Sequence, residues 1–382
     1  MRSKYKVSDI INLRVDKIES ICKNTWKSRA LHAIRKCRTA ALGGHIDKCE
    51  HCGKISISYN SCRNRHCPTC QGHKIEQWTQ ARLSELLPVK YFHLVFTIPA
   101  LLNPVAFKYP KRVYTILFKS AWKSLSQFAD NPKHLGAKAG MISVLHTWGQ
   151  NLELHPHLHC IVPGGGITAS GKWKDSKSKG KYLFNVKSMS KMFRAIFVKM
   201  LRKEIPELKK ELFDGLFKQN WVVYAKPPVL KPETIVEYLA RYTHKAAISN
   251  HRILNIDKEK GEVTFSLKDY RKNGVKTRLT LNFDEFIRRF SLHILSKGFT
   301  KIRHYGFLSS SWKREKLPAL QASFEGFQAQ AKEQGKANET TCLLNTCRFC
   351  GKGSLILIAS FGKRGPPQEY KILFQKQNNK SL

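Results

Sequence analysis

The sequence predicts an α+β fold with a mainly antiparallel central sheet flanked by helices, preceded by a helical domain that binds zinc. Strand-like and helical segments follow one another without a regular β-α-β alternation, which disfavours a parallel sheet. A cluster of cysteines and histidines at 45–73 lies between two helical stretches. The 382 residues suffice for two or three compact domains. We expect an N-terminal zinc-binding domain at 1–90, a mixed domain at 91–310, and a basic, partly disordered C-terminal region at 311–382.

The individual elements are predicted from hydrophobic periodicity and from the residues that end each run. In the first domain, 8–40 and 74–87 show helical spacing of apolar residues. A β-branched and aromatic run at 91–98 is ended by Pro99, which indicates a strand. Two further strands, at 141–150 and 157–162, are joined by a short loop. The remaining predictions are helices at 111–129, 187–218, 233–249 and 283–296, and strands at 221–224, 251–256, 262–268 and 276–282.

The charge of the chain indicates a polyanionic partner. Lysine and arginine total 68 against 27 acidic residues, and the resulting formal net charge of +41 recurs along the chain. Nucleic acid commonly neutralises such a charge, while a ribosomal or membrane-surface role also fits it. No apolar run approaches the roughly 20 residues of a membrane span, and the first residues do not resemble a signal peptide. We expect a cytoplasmic protein without membrane contact, whose 11 cysteines are thiols or metal ligands.

The cysteine spacing predicts a zinc site near the N-terminus. Two CxxC pairs are separated by 14 residues, and such paired knuckles together supply four thiolates to one tetrahedral zinc ion, here Cys49, Cys52, Cys67 and Cys70. Four protein ligands leave no open position, so the expected role is structural. A different ligand set or two ions remain open, because further candidates crowd the same segment: His45, His51, Cys62, His66 and His73. A third pair, Cys347 and Cys350, is either part of another zinc centre or two free thiols.

Three histidines lie at the start of the strand predicted at 157–162. Side chains alternate between the faces of a strand, so His157 and His159 point the same way and can clamp a metal ion. If the preceding strand pairs antiparallel, Gln150 falls beside His157 and is the expected third ligand, with Glu153 as an alternative. The competing interpretation is a pair of ordinary polar residues on a solvent-facing sheet.

The helix predicted at 233–249 carries two tyrosines four residues apart. Tyr238 and Tyr242 therefore share one face, and Arg241 and Lys245 line the same side. A tyrosine hydroxyl is a poor nucleophile at neutral pH, but nearby cations or a metal-bound phosphate make its phenolate accessible. The alternative is that both rings lie at the edge of a hydrophobic core.

Together these motifs resemble a known enzyme family. His157-Leu158-His159 is similar to the His-hydrophobic-His signature of the HUH endonuclease superfamily, and Tyr238-x3-Tyr242 is similar to the paired tyrosines of its two-tyrosine members. The chain from about residue 10 to 310 resembles the rolling-circle transposases of the insertion-sequence-91 family. Five segments carry this likeness in the family's order: 45–73, 155–166, 238–245, 286–290 and 298–307.

The resemblance implies an HUH-type nuclease core at 91–310 that transposes an insertion sequence, a mobile element, by a rolling-circle route. His157 and His159 would bind Mg²⁺ or Mn²⁺, which positions and polarises the scissile phosphate. Tyr238 or Tyr242 would attack that phosphate, form a 5′-phosphotyrosine link and free a 3′-OH. The other tyrosine would cut the second strand, and attack by the 3′-OH would reseal the DNA. Rejoining would need no ATP, because the link keeps the energy of the broken bond.

The resemblance also implies the partners. The expected substrates are single-stranded or hairpin DNA at the transposon ends, and target DNA. The sequence contains no P-loop, so a host helicase or the replication machinery would unwind the duplex. Basic and aromatic side chains bind single strands, and the expected contacts are Arg241, Lys245, Arg288, Arg289, Lys301, Arg303, His304 and Tyr305. For any one of these residues, a solvated basic face is the alternative.

Two other functions are compatible with the sequence. A plasmid replication initiator or relaxase would use the same chemistry to cut an origin without mobilising its own gene. A non-enzymatic, zinc-containing nucleic-acid-binding protein would bind DNA or RNA without forming a covalent adduct.

Overall fold

The computed structural model describes residues 3–23, 25–177, 183–229, 243, 245–269, 274–324, 346–352 and 354–379. The helices in these ranges are α1 (Val7–Asn12), α2 (Ile18–Cys22), α3 (Thr25–Arg35), α4 (Gly72–Leu83), α5 (Asn103–Lys108), α6 (Pro110–Asp130), α7 (Val186–Glu204), α8 (Lys210–Lys218), α9 (Phe283–Leu292), α10 (Ser310–Ala322) and α11 (Gln368–Asn379). None of these described helices combines the length and apolar composition that crossing a bilayer requires.

The strands fall into four sheets. Their bounds are β1 (Gly44–Cys49), β2 (Ile55–Tyr59), β3 (Tyr91–Thr97), β4 (Gly140–Trp148), β5 (Leu154–Pro163), β6 (Gly165–Ile167), β7 (Trp173–Asp175), β8 (Val222–Val229), β9 (Ile253–Asp257), β10 (Glu262–Asp269), β11 (Val275–Asn282), β12 (Ile302–Gly306) and β13 (Leu355–Phe361). The predicted strands of the mixed domain are present, and so are its predicted helices at 111–129, 187–218 and 283–296, although 187–218 forms two helices, α7 and α8. Of the helix predicted at 233–249, the described residues 245–249 are not helical. The hairpin β1–β2, the strands β6, β7, β12 and β13, and the helices α5, α10 and α11 are absent from the sequence-based prediction.

A five-stranded antiparallel sheet of order β12-β4-β5-β3-β8 forms the centre of the molecule. Its inner strands β3, β4 and β5 are buried along almost their whole length, which explains their nearly continuous apolar sequences. This confirms the predicted α+β class with a mainly antiparallel sheet flanked by helices, and it is consistent with an HUH-type core.

The two faces of this sheet have different neighbours. Leu158 and Cys160 of β5 belong to the main hydrophobic core together with Leu117 of α6 and Phe193 of α7. Residues of the other parity point to the opposite face, where Ile161 packs with residues next to α4. A neighbouring cluster packs α10 on the same region of β4. The histidines of β5 therefore lie on the face that does not contact α6 and α7, toward the strand's first residues.

The N-terminal helices do not pack only with one another. Ile10 of α1 and Leu31 of α3 share a hydrophobic cluster with Phe265 of β10 and with Phe286 and Phe290 of α9. The sheet of order β11-β10-β9 therefore covers the helices that begin the chain. The expected domain boundary at residue 90 stays a prediction, and the structure adds that a later part of the chain completes this core.

The C-terminal region returns to the N-terminal hairpin. β13 pairs antiparallel with β1, from Gly44 opposite Phe361 to Cys49 opposite Leu355, and makes a sheet of order β13-β1-β2. Behind it, the Gln377 side chain of α11 accepts a hydrogen bond from the backbone N–H of Ile55 at 3.0 Å. The basic tail from Lys363 thus includes a helix that contacts the first half of the chain.

Candidate active site and metal clusters

Three imidazoles meet on the face of the central sheet opposite α6 and α7. In the antiparallel pairing of β4 and β5, His146 lies directly opposite His157, and His159 follows two residues later on the same face. The ligand nitrogens of all three lie within 4.8 Å of one another. The Nε2 atoms of His157 and His159 are 3.2 Å apart. The structure therefore brings His157 and His159 together as the alternation predicts, and adds a third histidine.

The expected position of Gln150 is wrong. Gln150 does not lie opposite His157, because β4 ends at Trp148 and the pairing shifts register between His146 and Trp148. Gln150 instead lies in the following turn, where its backbone carbonyl accepts a hydrogen bond from Arg252 Nη2 at 2.6 Å. The alternative ligand Glu153 is exposed and forms an ion pair with Arg289 at 3.5 Å. By strand alternation, His146 points to the same face as the position of Gln150. This histidine is the feature of the sequence from which the third imidazole could have been predicted.

Hydrogen bonds fix how two of the imidazoles face the cluster. His157 Nδ1 donates to the backbone carbonyl of His155 at 2.6 Å, which leaves the Nε2 lone pair free to bind a cation. His159 Nδ1 lies 2.9 Å from Nε2 of His93 on β3, and the two rings stack. A proton donated from His159 Nδ1 to His93 would likewise leave His159 Nε2 as a lone pair. Burial, with the nearby charge of His155, lowers the pKa of His157 to about 4, so its neutral, metal-binding form prevails at neutral pH.

The spacing of these nitrogens fits one shared cation. Two nitrogens bonded to one ion at about 2.1 Å lie about 3.0–3.4 Å apart for angles between octahedral and tetrahedral. The observed 3.2 Å between His157 Nε2 and His159 Nε2 falls in that range. Imidazole nitrogen is a softer donor than the oxygen ligands that Mg²⁺ prefers, so this donor set suits Mn²⁺ better than Mg²⁺.

An aromatic ring and a buried amine border the cluster. The Trp148 ring stacks on His146 with centroids 4.4 Å apart, and Lys301 Nζ lies 5.0 Å from the centre of the same ring. Lys301 Nζ also donates to the backbone carbonyl of Lys245 at 3.1 Å. Burial, helped by the charges of Arg65 and Lys245, lowers the pKa of Lys301 to about 7. Of the predicted DNA contacts, Lys301 therefore lies near the histidines, and Lys245 contacts it through its backbone carbonyl.

The other predicted DNA contacts in the described ranges already contact protein groups. Arg288 and Arg289 both pair with Glu285. The Arg303 guanidinium lies 4.2 Å from the centre of the Phe118 ring, and Tyr305 stacks on Trp122 at 5.1 Å. His304 lies 3.4 Å from Arg82. DNA binding by these residues stays a prediction. Tyr238, Tyr242 and Arg241 lie outside the described residues.

The cysteines form two separate four-sulfur clusters, each with its Sγ atoms within 4.8 Å of one another. The first, called the proximal cluster, comprises Cys37, Cys62, Cys67 and Cys70. The second, called the bridging cluster, comprises Cys49, Cys52, Cys347 and Cys350.

The prediction that Cys49, Cys52, Cys67 and Cys70 share one ion is therefore wrong, although each CxxC pair does belong to a four-thiol group. The first pair lies at the tip of the β1–β2 hairpin. The strand β2 then carries the chain away from that tip before the second pair begins. The open alternatives, two ions and a further centre that includes Cys347 and Cys350, agree with the two clusters, and Cys62 was among the named candidates. Cys37 is the one cluster member that the sequence analysis missed.

Two family profiles match the chain. One, described as "Putative transposase", covers residues 140–316, and the other, described as "Transposase zinc-binding domain", covers residues 13–98. A protein of Sinorhizobium fredii (strain NBRC 101917 / NGR234) named "Putative transposase y4qJ" is 41% identical over an alignment of 372 residues, and the alignment covers 90% of this chain and 92% of that protein. The chain belongs to the insertion-sequence-91 family of transposases. This transposase is also 27% identical over 305 residues to the transposase for insertion sequence element IS801 of Pseudomonas savastanoi pv. phaseolicola, covering 74% of this chain and 70% of that protein. No solved structure matches the transposase.

Zinc at the N-terminal cysteines of the transposase is supported by both family and geometry. The matched zinc-binding domain, 13–98, includes the whole proximal cluster. Cys62 and Cys70 Sγ are 3.7 Å apart. Sulfurs on a tetrahedral zinc ion with bonds of about 2.3 Å lie about 3.8 Å apart, so these thiols fit the metal. The histidine cluster lies in the other matched region, which makes it the candidate catalytic centre of a DNA-cleaving enzyme.

Proposed function

We propose that this transposase nicks and rejoins single-stranded DNA through a 5′-phosphotyrosine intermediate and drives rolling-circle transposition of an insertion sequence. The observation that carries the proposal is the cluster of His146, His157 and His159 on one face of the central sheet. A divalent cation held there, Mn²⁺ in preference to Mg²⁺, would polarise and position the scissile phosphate. The resemblance of the 238–245 segment to two-tyrosine nucleases supplies the nucleophiles, Tyr238 and Tyr242.

The side chains of this chain have separable tasks in the proposed reaction. The phenolate oxygen of one tyrosine attacks phosphorus, the bond from phosphorus to the 3′ oxygen breaks, and the departing oxygen leaves as a 3′-OH after taking up a proton. The reverse attack by a 3′-OH restores the phosphodiester and frees the tyrosine. Lys301, whose Nζ lies over the Trp148 ring beside His146, donates a hydrogen bond to the phosphate in the proposed reaction and, in its protonated form, favours the phenolate form of tyrosine.

A basic cleft beside α5 and α6 supports single-stranded DNA as the substrate. The cleft has a volume of about 630 Å³, and Leu154, the first residue of β5, is one of its lining residues. Cations and aromatic rings line it together, and no carboxylate is among its described lining residues. The cations are Lys23, Lys27, Lys108, Lys111 and Arg112, and the rings include Trp26, Phe107, Tyr109 and Phe299. Single-strand binding sites combine basic grooves with rings on which bases stack.

A strand-labelling assay tests the proposed chemistry. The protein is incubated with Mn²⁺ and a single-stranded transposon-end oligonucleotide labelled at either its 5′ or its 3′ end. A 5′-phosphotyrosine link retains the 3′ label in an adduct that survives denaturation, whereas the 5′ label leaves on the fragment with a free 3′-OH. Changing both Tyr238 and Tyr242 to phenylalanine should abolish the adduct, while Tyr224→Phe, at an exposed position of β8, should not.

His157→Ala should abolish cleavage and leave DNA affinity within about a few-fold, because most of the affinity comes from phosphate contacts elsewhere. Retention of the 5′ label, or an adduct that persists in the double tyrosine variant, would refute the phosphotyrosine mechanism. DNA binding without any adduct under these conditions would instead indicate a binding protein without nuclease activity.

A further inference from the structure

The bridging cluster joins two parts of the chain that are far apart in sequence. Cys49 Sγ lies 3.7 Å from Cys350 Sγ, and Cys52 Sγ lies 3.7 Å from Cys347 Sγ, across 301 and 295 sequence positions. Both distances match the edge of a tetrahedral zinc–thiolate site, about 3.8 Å. A disulfide needs sulfurs about 2.05 Å apart, so neither pair is a disulfide in this arrangement.

Both halves of the cluster close a backbone turn from the first cysteine's carbonyl to a glycine four residues later, and in each the first cysteine's Sγ accepts a backbone N–H within that turn. In the first, Cys49 Sγ accepts a hydrogen bond from Cys52 N–H at 3.5 Å, and Cys49 carbonyl accepts one from Gly53 N–H at 2.9 Å. In the second, Cys347 Sγ accepts from Phe349 N–H at 3.4 Å, and its carbonyl accepts from Gly351 N–H at 2.8 Å.

A glycine follows the second cysteine of each half. Gly53 has φ +69° and Gly351 has φ +67°, a left-handed backbone that glycine adopts without strain. Nothing lies within 4 Å of the position of an added Cβ at either residue, so the backbone conformation and not crowding accounts for the glycine. The two halves are thus matched knuckles that present their sulfurs to a common centre, as in paired-knuckle zinc sites.

The strand that follows the second knuckle, β13, is held mainly by backbone pairing and buries few apolar side chains. β13 extends β1 through backbone pairing, but its apolar side chains are largely in solvent: Ile356 is 44% exposed and Leu357 is 65% exposed. On α11, Ile372 and Leu373 are also exposed. Hydrophobic burial therefore contributes little to the attachment of this region, and the four thiols lie where β13 begins beside Cys49.

We propose that Cys49, Cys52, Cys347 and Cys350 bind a second, structural zinc ion that fastens the C-terminal strand and helix to the N-terminal hairpin. Two of its ligands lie beyond the matched zinc-binding domain, 13–98. The four thiolates close the coordination shell, so the ion has no open position for chemistry. The inference is independent of the proposed phosphotyrosine mechanism, because none of its ligands belongs to the histidine cluster.

Metal content of the purified full chain tests this site. Wild-type protein, freed of loosely held metal by a weak chelator, should contain two zinc ions per chain by elemental mass spectrometry, one for each four-cysteine cluster. The variant with Cys347→Ser and Cys350→Ser should contain one zinc ion. The control Cys22→Ala removes a cysteine that belongs to neither cluster and should keep both ions.

Limited proteolysis supplies a second readout. In the Cys347→Ser, Cys350→Ser variant, 346–379 should be cleaved much faster than in the wild type, while the rest of the chain keeps its cleavage pattern. One zinc ion in the wild type would overturn the proposal, even if the double variant does not fold. Two ions in the double variant would also overturn it. Alkylation followed by mass measurement, without reductant, would reveal a disulfide at these cysteines, and finding one would likewise refute zinc binding.

Discussion

Replacing His146 with alanine tests the proposed catalytic centre at the one ligand that the sequence did not predict. Its imidazole is 3% exposed and lies opposite His157, so the substitution takes away one of three nitrogens and leaves the other two in place. Loss of a group that merely orients a metal ligand typically weakens binding 10–100-fold, roughly 1.4–2.7 kcal/mol. Because His146 is itself a proposed ligand, we expect the Mn²⁺ affinity of His146→Ala to fall by at least about 100-fold.

The fold should tolerate this change. The substitution removes ring contacts of the imidazole with Trp148, His157 and His159, and aromatic pairs of this kind contribute about 0.5–1.5 kcal/mol each beyond burial. Mn²⁺ binding can be measured by calorimetry on protein that lacks both candidate tyrosines, and adduct formation by titrating Mn²⁺ with the wild-type tyrosines present. Gln150→Ala is the matched control, since its backbone carbonyl contact with Arg252 survives the substitution.

The result distinguishes a metal site whose third ligand is His146 from one whose third ligand is Gln150. If His146 is the third ligand, adduct formation in His146→Ala requires far more Mn²⁺ and Gln150→Ala behaves like the wild type. A His146→Ala protein with unchanged Mn²⁺ dependence, or a large loss in Gln150→Ala alone, would refute the three-imidazole centre.

Three further predictions concern the surroundings of this centre. His93→Ala should weaken Mn²⁺ binding about 10–100-fold, because His159 Nδ1 loses its hydrogen-bond partner, and His93→Gln should restore part of the binding. A lowered melting temperature with unchanged Mn²⁺ affinity would assign His93 a packing role only. The pKa of Lys301 is lowered to about 7, so the unfolded chain binds one more proton above that pH. The melting temperature of the wild type relative to Lys301→Met should therefore rise from about pH 7 toward 10, and a pH-independent difference would contradict this. Phe107→Ala, at a ring 63% exposed in the basic cleft, should weaken single-strand binding by about 1–3 kcal/mol, whereas Phe217→Ala, outside the cleft, should not; equal losses would exclude stacking at Phe107.

Local periodicity was enough to predict the elements that carry the histidines. β3, β4 and β5 lie within a few residues of their expected bounds, because each is a long apolar run ended by a proline or by the residues of a turn. The shared face of His157 and His159 follows from strand alternation alone. These features depend on residues close in sequence, so no knowledge of the tertiary structure was needed.

Long-range pairing set the limit of prediction. Which residue of β4 opposes His157 depends on where the turn begins, and the chain turns at Gly149 through a hydrogen bond to the Glu153 carbonyl at 2.9 Å. That choice places His146, and not Gln150, beside the other imidazoles. Cys49 meets Cys350, which lies 301 positions later in the chain. The apolar pattern of a strand shows which face it buries, but it does not show which distant segment pairs with it.

The matched knuckles also bear on how the protein is made. Cys350 leaves the ribosome long after Cys49, since 301 positions separate them. At typical synthesis rates of roughly 5–20 residues per second, roughly 15–60 s pass between the synthesis of Cys49 and that of Cys350, and until then only half of the zinc ligands have been made. During that interval the two thiols of the hairpin are open to oxidation and to the wrong metal. Maturation of the enzyme is therefore tied to the reducing power and zinc supply of the cell in which it is translated.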